Sequence, residues 1–187
     1  MGKVYDRIDG KLAEFIRKQH MFFVGTAPDE PDGHLNVSPK GLDTFRILGP
    51  NSVAYLDLTG SGIETVAHLR QNGRVTIMFC AFEGRPLIVR LYGRGRVVEP
   101  GDGDWDALVA RFPEYPGVRS VVVVEVERIA DSCGFAVPLY EYQGERSQLI
   151  DYAEQKGAEG LEEYKALKNR SSIDGLAGLR SAEDGGG

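Results

Sequence analysis

A short run of small residues, Thr59-Gly60-Ser61-Gly62, joins the apolar segment SVAYLDL to a segment of helical pattern that follows at once. The first turn of a helix leaves backbone N–H groups without partners, and glycines beside a serine keep these groups accessible. Such a turn can bind an anion, typically a phosphate group. The same residues also permit a simpler interpretation, in which Ser61 or Thr59 only caps the helix. From this turn alone, both interpretations stay open.

Composition and charge predict one globular domain. The chain has 187 residues, of which 42% are hydrophobic and 27% charged, and this length supports a single core. A net charge of -6 does not provide the basic surface that binds nucleic acids or acidic membranes. The start, MGKVYDRIDGKLAEF, is charged where a signal peptide is apolar, and no run reaches the ~18 apolar residues of a membrane span. We therefore expect a cytoplasmic protein without nucleic-acid or membrane partners.

Cysteines and histidines give neither a metal-binding nor a redox pattern. Cys80 and Cys133 lie among apolar or small residues without CxxC spacing, so both are expected to be reduced, buried thiols. The three histidines are too far apart in the sequence to match a metal-ligand spacing, so no metal site is expected. His68 comes four residues after Glu64, on the expected polar face of its helix, which predicts a solvated or Glu64-paired side chain.

Strand-forming segments dominate the first 131 residues. After an amphipathic helix over residues 9–19, the pattern predicts six strands, which lie in HMFFVGTA, HLNVSPKG, SVAYLDL, RVTIMFCAF, PLIVRLYGRGRVVEP and RSVVVVEVERIA. In HLNVSPKG, Leu35 and Val37 should face one side of the sheet, and Asn36 and Ser38 the other. Short helices are expected after residue 62 and around residue 105, and two more in the C-terminal part.

These elements predict a mainly β, α+β fold. Hairpin connections favour antiparallel pairing, and the helices are too few to cover a parallel sheet. Six strands that close on themselves would form a small barrel without an open edge. Residues 1–142 would form this barrel domain, residues 143–180 a helical extension packed on the barrel or dimer, and residues 181–187 a flexible tail.

The order of these segments resembles that of the pyridoxamine 5'-phosphate oxidase superfamily of FMN-binding split barrels. The resemblance covers about residues 12–129 and includes HLNVSPKG, TGSGIETVAHLRQNGRV and RLYGRGRVV. The C-terminal SCGFAVPLYEY and SIDGLAGL resemble a subgroup of these flavoproteins without assigned activity, and not the vitamin B6 oxidases themselves. The resemblance implies a six-stranded antiparallel split β-barrel of the Greek-key type. It also implies that FMN binds between two subunits, with the strand that ends in lysine along the flavin and the strand-to-helix turn at its phosphate.

The residues that the resemblance assigns to the cofactor fall into two groups. Those on the strand that ends in lysine would border the isoalloxazine ring or approach the cofactor: Asn36, Val37, Ser38 and Lys40. Those at the strand-to-helix turn would surround the phosphate: Leu58, Thr59, Ser61, Gly62 and Thr65. No side chain is identified as a catalytic acid, base or nucleophile, which suits hydride transfer by a flavin.

Departures from the B6 oxidase pattern leave other cofactors open. Those enzymes carry an Arg-Lys pair where this chain has Glu64 and Thr65, and an arginine where it has Leu35. A carboxylate close to a phosphate is unfavourable unless it points away, so a deazaflavin or haem is an alternative to FMN. The substrate-binding Arg-x-His of the B6 oxidases has no counterpart in EYQGERSQLID, so pyridoxamine phosphate is not the expected substrate.

We therefore expect a homodimeric, FMN-dependent oxidoreductase that acts on a small-molecule substrate or electron donor. The alternative from another class is a non-catalytic flavin carrier or sensor. The apolar VVVVEV strand and the helix that contains Trp105 are expected to provide the surface for the second subunit.

Overall fold

The fold is built around one eight-stranded antiparallel sheet, observed in a computed structural model that describes residues 2–180. The strands are β1 (Val4–Tyr5), β2 (Phe22–Thr26), β3 (Asn36–Lys40), β4 (Phe45–Gly49), β5 (Ser52–Leu58), β6 (Arg74–Cys80), β7 (Ile88–Val98) and β8 (Val118–Ser132). The helices are α1 (Gly10–Arg17), α2 (Glu64–Asn72), α3 (Trp105–Val109) and α4 (Gln148–Lys168). The strand order is β3-β2-β6-β7-β8-β5-β4, with β1 paired to β8. The tail predicted for residues 181–187 lies outside the described residues.

The sheet curls around an apolar core, which confirms the predicted mainly β, split-barrel class. Phe22 on β2 and Phe45 on β4 belong to strands far apart in the strand order, yet their ring centroids lie 5.1 Å apart. The ring centroids of Phe45 and Phe79 on β6 are 5.0 Å apart. Helix α1 packs against this core with Leu12 and Ile16, because its apolar residues recur at helical spacing.

Two details of the predicted barrel were wrong. The sheet has eight strands because β1 and β4 also pair, and neither was predicted. The barrel is not closed by hydrogen bonds either, since β3 and β4 are edge strands in the described part of the chain. The hairpin of β2 and β3 is confirmed, as is its alternation: Leu35 and Val37 are 79% and 68% exposed, whereas Asn36 and Ser38 are half-buried.

A second apolar layer covers the outer face of β5 and β8. Leu56 and Val123 pack there with Leu108 of α3, and Trp105 is partly buried against the same group. Both faces of β8 are therefore enclosed by the chain itself, since Val121 to Val124 are all buried. These four valines therefore cannot offer the surface to a partner that was expected of the VVVVEV strand, whereas a contact through the Trp105 helix stays a prediction.

The C-terminal part combines a helix with a closely packed turn. Helix α4 is interrupted at Gly157, in agreement with the two helical segments that the sequence predicted. It is followed by a hairpin-like segment, residues 169–180, which we call the C-terminal hairpin and in which Ser171 and Ala177 form a bridge. A Cβ atom on Gly178 would lie 2.2 Å from the carbonyl oxygen of Asn169 and 2.8 Å from Ile63, so this approach requires glycine. No helix among the described residues is long and apolar enough to cross a membrane.

Candidate functional site

A cavity of about 1690 Å³ lies where β3, the turn after β5 and the C-terminal part of the chain meet. One part of its wall is polar and comes from β3 and the strand-to-helix turn: Asn36, Ser38, Lys40, Gly60, Gly62, Glu64 and Thr65. Another part is aromatic and comes from the loops before β2 and after β6 and β8: His20, Phe82, Tyr140 and Tyr142. Arg119 of β8 also lines the cavity.

A buried carboxylate organises the polar wall. The side chain of Asp57 on β5 is 1% exposed, and its Oδ1 accepts a hydrogen bond from Lys40 Nζ at 2.7 Å. Its Oδ2 accepts one from Arg119 Nε at 2.7 Å. Burial alone would raise the pKa of Asp57, but the two cations hold this pKa below its ordinary value. Asp57 is therefore ionised, and the cluster of Asp57, Lys40 and Arg119 carries a net charge of about +1.

A β-bulge brings Arg119 to this cluster. The pairing of β5 with β8 shifts register between Asp57, opposite Ser120, and Leu58, opposite Val118. Arg119 is thus the extra residue on β8, and a bulge re-aims the side chain of such a residue. In regular alternation, Arg119 and Ser120 would point to opposite faces, yet both donate hydrogen bonds to Asp57 Oδ2, at 2.7 and 3.4 Å.

The strand-to-helix turn leaves the start of α2 without a side-chain cap. The N-cap residue is Ile63, and no side chain caps the helix there, so the interpretation of Ser61 or Thr59 as a cap was wrong. The hydroxyl of Thr59 instead donates a hydrogen bond of 2.7 Å to the carbonyl oxygen of Gly117, while Ser61 is exposed. The N–H groups of the first turn therefore stay available at the cavity, where Gly62 and Thr65 line the wall.

A chain of hydrogen bonds behind the cavity wall joins β2, β3 and α2. Asn36 Nδ2 donates to Thr65 Oγ1 at 2.9 Å and to Thr26 Oγ1 at 3.3 Å. Ser38 Oγ donates to Asn36 Oδ1 at 3.0 Å, and Thr26 Oγ1 is hydrogen-bonded to His68 Nδ1 at 2.9 Å. The amide of Asn36 is therefore fixed in orientation by partners on both sides.

The prediction of a solvated His68 was wrong, because α2 is covered on both sides. His68 is fully buried, and its Nε2 has no hydrogen-bond partner among the described residues. Burial lowers the pKa of His68 by more than the nearby carboxylates of Asp174 and Glu64 raise it. The imidazole is thus neutral at physiological pH and supports the cavity wall from behind.

The aromatic part of the wall is held in place by the segment that follows β8. The ring of Tyr142 stacks on His20 with centroids 3.6 Å apart. The hydroxyl of Tyr142 donates to Glu145 Oε1 at 2.8 Å, and its N–H donates to Glu83 Oε1 at 2.9 Å. Tyr140 stacks on Phe82 with centroids 5.4 Å apart. This arrangement offers flat, apolar surfaces to a ligand.

The structure brings six of the nine residues assigned to the cofactor together around the cavity: Asn36, Ser38, Lys40, Leu58, Gly62 and Thr65. Three others do not line it. Val37 faces outward, the hydroxyl of Thr59 is occupied by Gly117, and Ser61 is exposed away from the wall. Lys40, at the end of β3, spans the space to β5 and donates its hydrogen bond to Asp57 there.

Sequence reasoning missed several residues of the site. Asp57 could have been identified from the sequence, because a charged residue inside the apolar strand SVAYLDL requires a buried partner. Arg119 could not be placed without the bulge, and the stacking of Tyr142 on His20 depends on an irregular segment. Of the two cysteines, Cys80 is buried as predicted, but Cys133 is exposed, because it follows the end of β8.

Comparison with known proteins defines the family of this chain. A family model described as pyridoxamine 5'-phosphate oxidase matches residues 8–133. A pyridoxamine 5'-phosphate oxidase family protein of Aspergillus flavus, ustO, is 40% identical over 195 aligned positions, which cover 95% of this chain and 78% of the relative. The chain belongs to the pyridoxamine 5'-phosphate oxidase family.

Solved structures share the fold at low sequence identity. HupZ of Group A Streptococcus is 20% identical, with a TM-score of 0.52, and the match covers 72% of this chain and 99% of HupZ. An FAD-binding protein of Mycobacterium smegmatis is 15% identical, with a TM-score of 0.50, and the match covers 70% of this chain and 98% of that protein. At these identities, the likeness establishes the fold alone.

The buried ion pair generates a prediction for stability. Replacing Lys40 with Met keeps the apolar stem but leaves Asp57 with Arg119 as its remaining cation, so the free energy of unfolding should fall by about 1–3 kcal/mol. Lys18→Met is a matched control, because Lys18 also lies 2.7 Å from a carboxylate, that of Glu14, but in solvent. Urea unfolding monitored by circular dichroism measures both; equal, negligible changes would contradict a structural role for the Lys40–Asp57 pair.

The buried histidine generates a prediction for pH dependence. Because burial lowers the pKa of His68, the unfolded chain binds a proton that the folded protein releases. This contribution to stability is present above the ordinary histidine pKa of about 6.5 and is lost as the pH falls below it. In urea unfolding between about pH 5 and pH 8, the His68→Gln variant should therefore lose less stability on acidification than the wild type. Identical pH profiles would contradict a neutral, buried His68.

Proposed function

We propose that this protein binds FMN in the cavity between β3 and the strand-to-helix turn and acts as a flavin-dependent oxidoreductase. The observation that carries the proposal is the meeting of two sets of residues in one cavity. Asn36, Ser38 and Lys40 come from β3, while Gly62 and Thr65 come from the start of α2. These are the two regions that the family resemblance assigns to the ring and to the phosphate of FMN.

The size and chemistry of the cavity suit this cofactor. Its volume of about 1690 Å³ exceeds the ~300–1,000 Å³ typical of small-molecule pockets, so a flavin and a substrate have room together. The uncapped N–H groups of α2 suit a phosphate, and the helix dipole adds ~0.3–1 kcal/mol of stabilisation for an anion there. The stacked rings of Tyr142 and His20 suit a flat aromatic ligand.

Bound FMN would supply hydride transfer, and the protein residues would bind and orient it. Asn36 and Ser38 would present polar atoms in fixed orientation, since each is already held by hydrogen bonds. The ammonium of Lys40 would place positive charge near the ligand. The segment that carries Tyr140 and Tyr142 would exclude water from the apolar side of the cavity.

The family of the chain and one of its structural neighbours support a flavin cofactor. The chain belongs to the pyridoxamine 5'-phosphate oxidase family, and one structural neighbour, from Mycobacterium smegmatis, is itself described as FAD-binding. Our proposal goes further on two points. It names FMN as the flavin, and it assigns oxidoreductase activity and not flavin transport or sensing. A haem protein on the same fold is the further alternative, for which the exposed His20 on the cavity wall is the candidate ligand.

The absorbance spectrum of the freshly purified protein tests this function. We expect the two visible bands of a flavin, and we expect these bands to bleach when NADH or NADPH is added without oxygen. Flavin bands that neither nicotinamide bleaches would support the carrier or sensor. A Soret band would identify a haem protein, and a colourless protein that binds no added FMN would overturn the proposal.

We also infer that the active form is a homodimer that uses β3 as its interface. Strand β3 is an edge strand in the described part of the chain. Val37 on its outward face is 68% exposed, and Leu35, directly before the strand, is 79% exposed. Ile173, 69% exposed, follows Ser172 in the C-terminal hairpin, which contacts this region through the hydrogen bond of 2.6 Å between Asp174 and His34. An unpaired edge strand beside exposed apolar side chains is a typical place for a second copy.

Sedimentation tests the dimer. The wild type should sediment at about twice the chain mass of 20.5 kDa. The double variant Leu35→Glu/Val37→Glu should sediment as a monomer, since two charges on each side of the interface repel. Leu167→Glu changes another exposed leucine, on α4, and should remain a dimer. A monomeric wild type would refute the dimer, and a dimeric double variant would refute the assigned surface.

A further inference from the structure

Arg119 differs from the other buried charged residues because only two of its three guanidinium nitrogens donate hydrogen bonds to described residues. Its side chain is 5% exposed, yet it lines the cavity beside the strand-to-helix turn. Nε donates to Asp57, and Nη1 donates to the carbonyl oxygen of Gly60 at 3.2 Å and to Asn169 Oδ1 at 3.0 Å. Nη2 has no acceptor among the described residues. It is not one of the fully buried atoms that lack a partner, so it keeps some exposed surface. This nitrogen is therefore available to a ligand in the cavity.

The turn also carries a carboxylate, and its negative charge must be offset before an anion can bind there. Glu64 lines the cavity close to Gly62, and its carboxylate disfavours a bound anion. Glu64 is partly engaged elsewhere, since its Oε1 accepts a long hydrogen bond of 3.4 Å from the N–H of Ile173. The net charge of about +1 on the cluster of Asp57, Lys40 and Arg119 offsets the remaining negative charge, and Arg119 brings it to the turn itself.

We infer that Arg119 is a phosphate-binding residue, which replaces from β8 the cationic pair that the start of α2 lacks. The inference rests on the proposed function, because the phosphate is that of the flavin. A planar guanidinium that is fixed at two of its nitrogens directs the third with little loss of entropy, and charge-assisted hydrogen bonds of this kind are strong. The N–H groups at the start of α2 would complete the phosphate site.

Asn169 of the C-terminal hairpin acts as a positioning residue for Arg119. It is fully buried, its Oδ1 accepts from Arg119 Nη1, and its Nδ2 donates to the carbonyl oxygen of Gly60 at 2.9 Å. It thus holds the arginine and the turn at a fixed separation. The residue lies beyond residues 8–133, so this part of the site is an addition to the region that the family model matches.

The experiment is a titration of apo-protein with FMN and with riboflavin, which lacks the phosphate. Arg119→Lys keeps a cation beside Asp57 but removes the fork that reaches the turn. It should weaken FMN binding about tenfold to hundredfold and riboflavin binding by less than about threefold, because one charge-assisted hydrogen bond is lost. Asn169→Ala should lower the FMN preference in the same sense. Inorganic phosphate should compete with riboflavin in neither protein, but should compete with FMN more strongly in the wild type than in Arg119→Lys.

Arg90→Lys is the matched control. Arg90 is a partly buried arginine on β7 that donates to Ser132 Oγ at 3.0 Å, and it is absent from the cavity wall. This variant should bind both flavins as the wild type does. If Arg119→Lys does not fold by circular dichroism, the double variant Asp57→Asn/Arg119→Gln is compared with Asp57→Asn, because it removes both charges of the pair together.

The outcomes separate the two claims. A wild type that binds neither flavin overturns the proposed function. A wild type that prefers FMN, with an unchanged preference in Arg119→Lys and in the double variant, overturns the role of Arg119 and leaves the proposed function standing. Equal losses of affinity for FMN and for riboflavin also overturn the role of Arg119, since they assign this residue to the structure of the site alone.

Discussion

The cavity depends on one buried carboxylate that must be compensated. Asp57 lies on the inner side of β5, and an ionised carboxylate at 1% exposure is tolerated only when cations and donors surround it. Lys40 reaches it from the edge strand β3, and Arg119 reaches it from the bulge of β8. The three strands that carry these residues are thus fixed relative to one another by electrostatics as well as by packing. Losing either cation would disturb the polar wall and the fold together.

This constraint also determines how the strand-to-helix turn is presented. Arg119 binds the carbonyl oxygen of Gly60, and Asn169 binds both of them, so the turn is held from below by β8 and by the C-terminal hairpin. Because Thr59 is tied to Gly117, the donors that remain for a ligand are backbone N–H groups, the hydroxyl of Thr65 and the guanidinium. The turn therefore combines a rigid backbone with a positive charge that is itself held in place by hydrogen bonds.

The sequence was sufficient for the fold class, because strands and hairpins follow from local periodicity, whereas the candidate cofactor residues came from the family resemblance. Alternation in HLNVSPKG separated Asn36 and Ser38 from Leu35 and Val37, and the structure shows that the polar pair faces inward. Strand β4 was missed because FRILG is short and lies at a sheet edge, although Phe45 and Ile47 alternate toward the core. His68 was misplaced because α2 is buried on this side, where the C-terminal hairpin contacts its start through Ile173 and Gly178. Arg119 was missed because a bulge breaks the alternation of β8. Both errors arise from contacts between residues far apart in the chain.

A crystal structure of the protein with FMN would show directly where the phosphate binds. We expect the phosphate at the start of α2, with Arg119 Nη2 within hydrogen-bond distance of a phosphate oxygen, and the isoalloxazine ring along β3 beside Asn36 and Ser38. Lys40 and Arg119 should keep their contacts with Asp57 in the complex. A phosphate bound elsewhere, or directed into solvent with Arg119 turned away from it, would refute the proposed site.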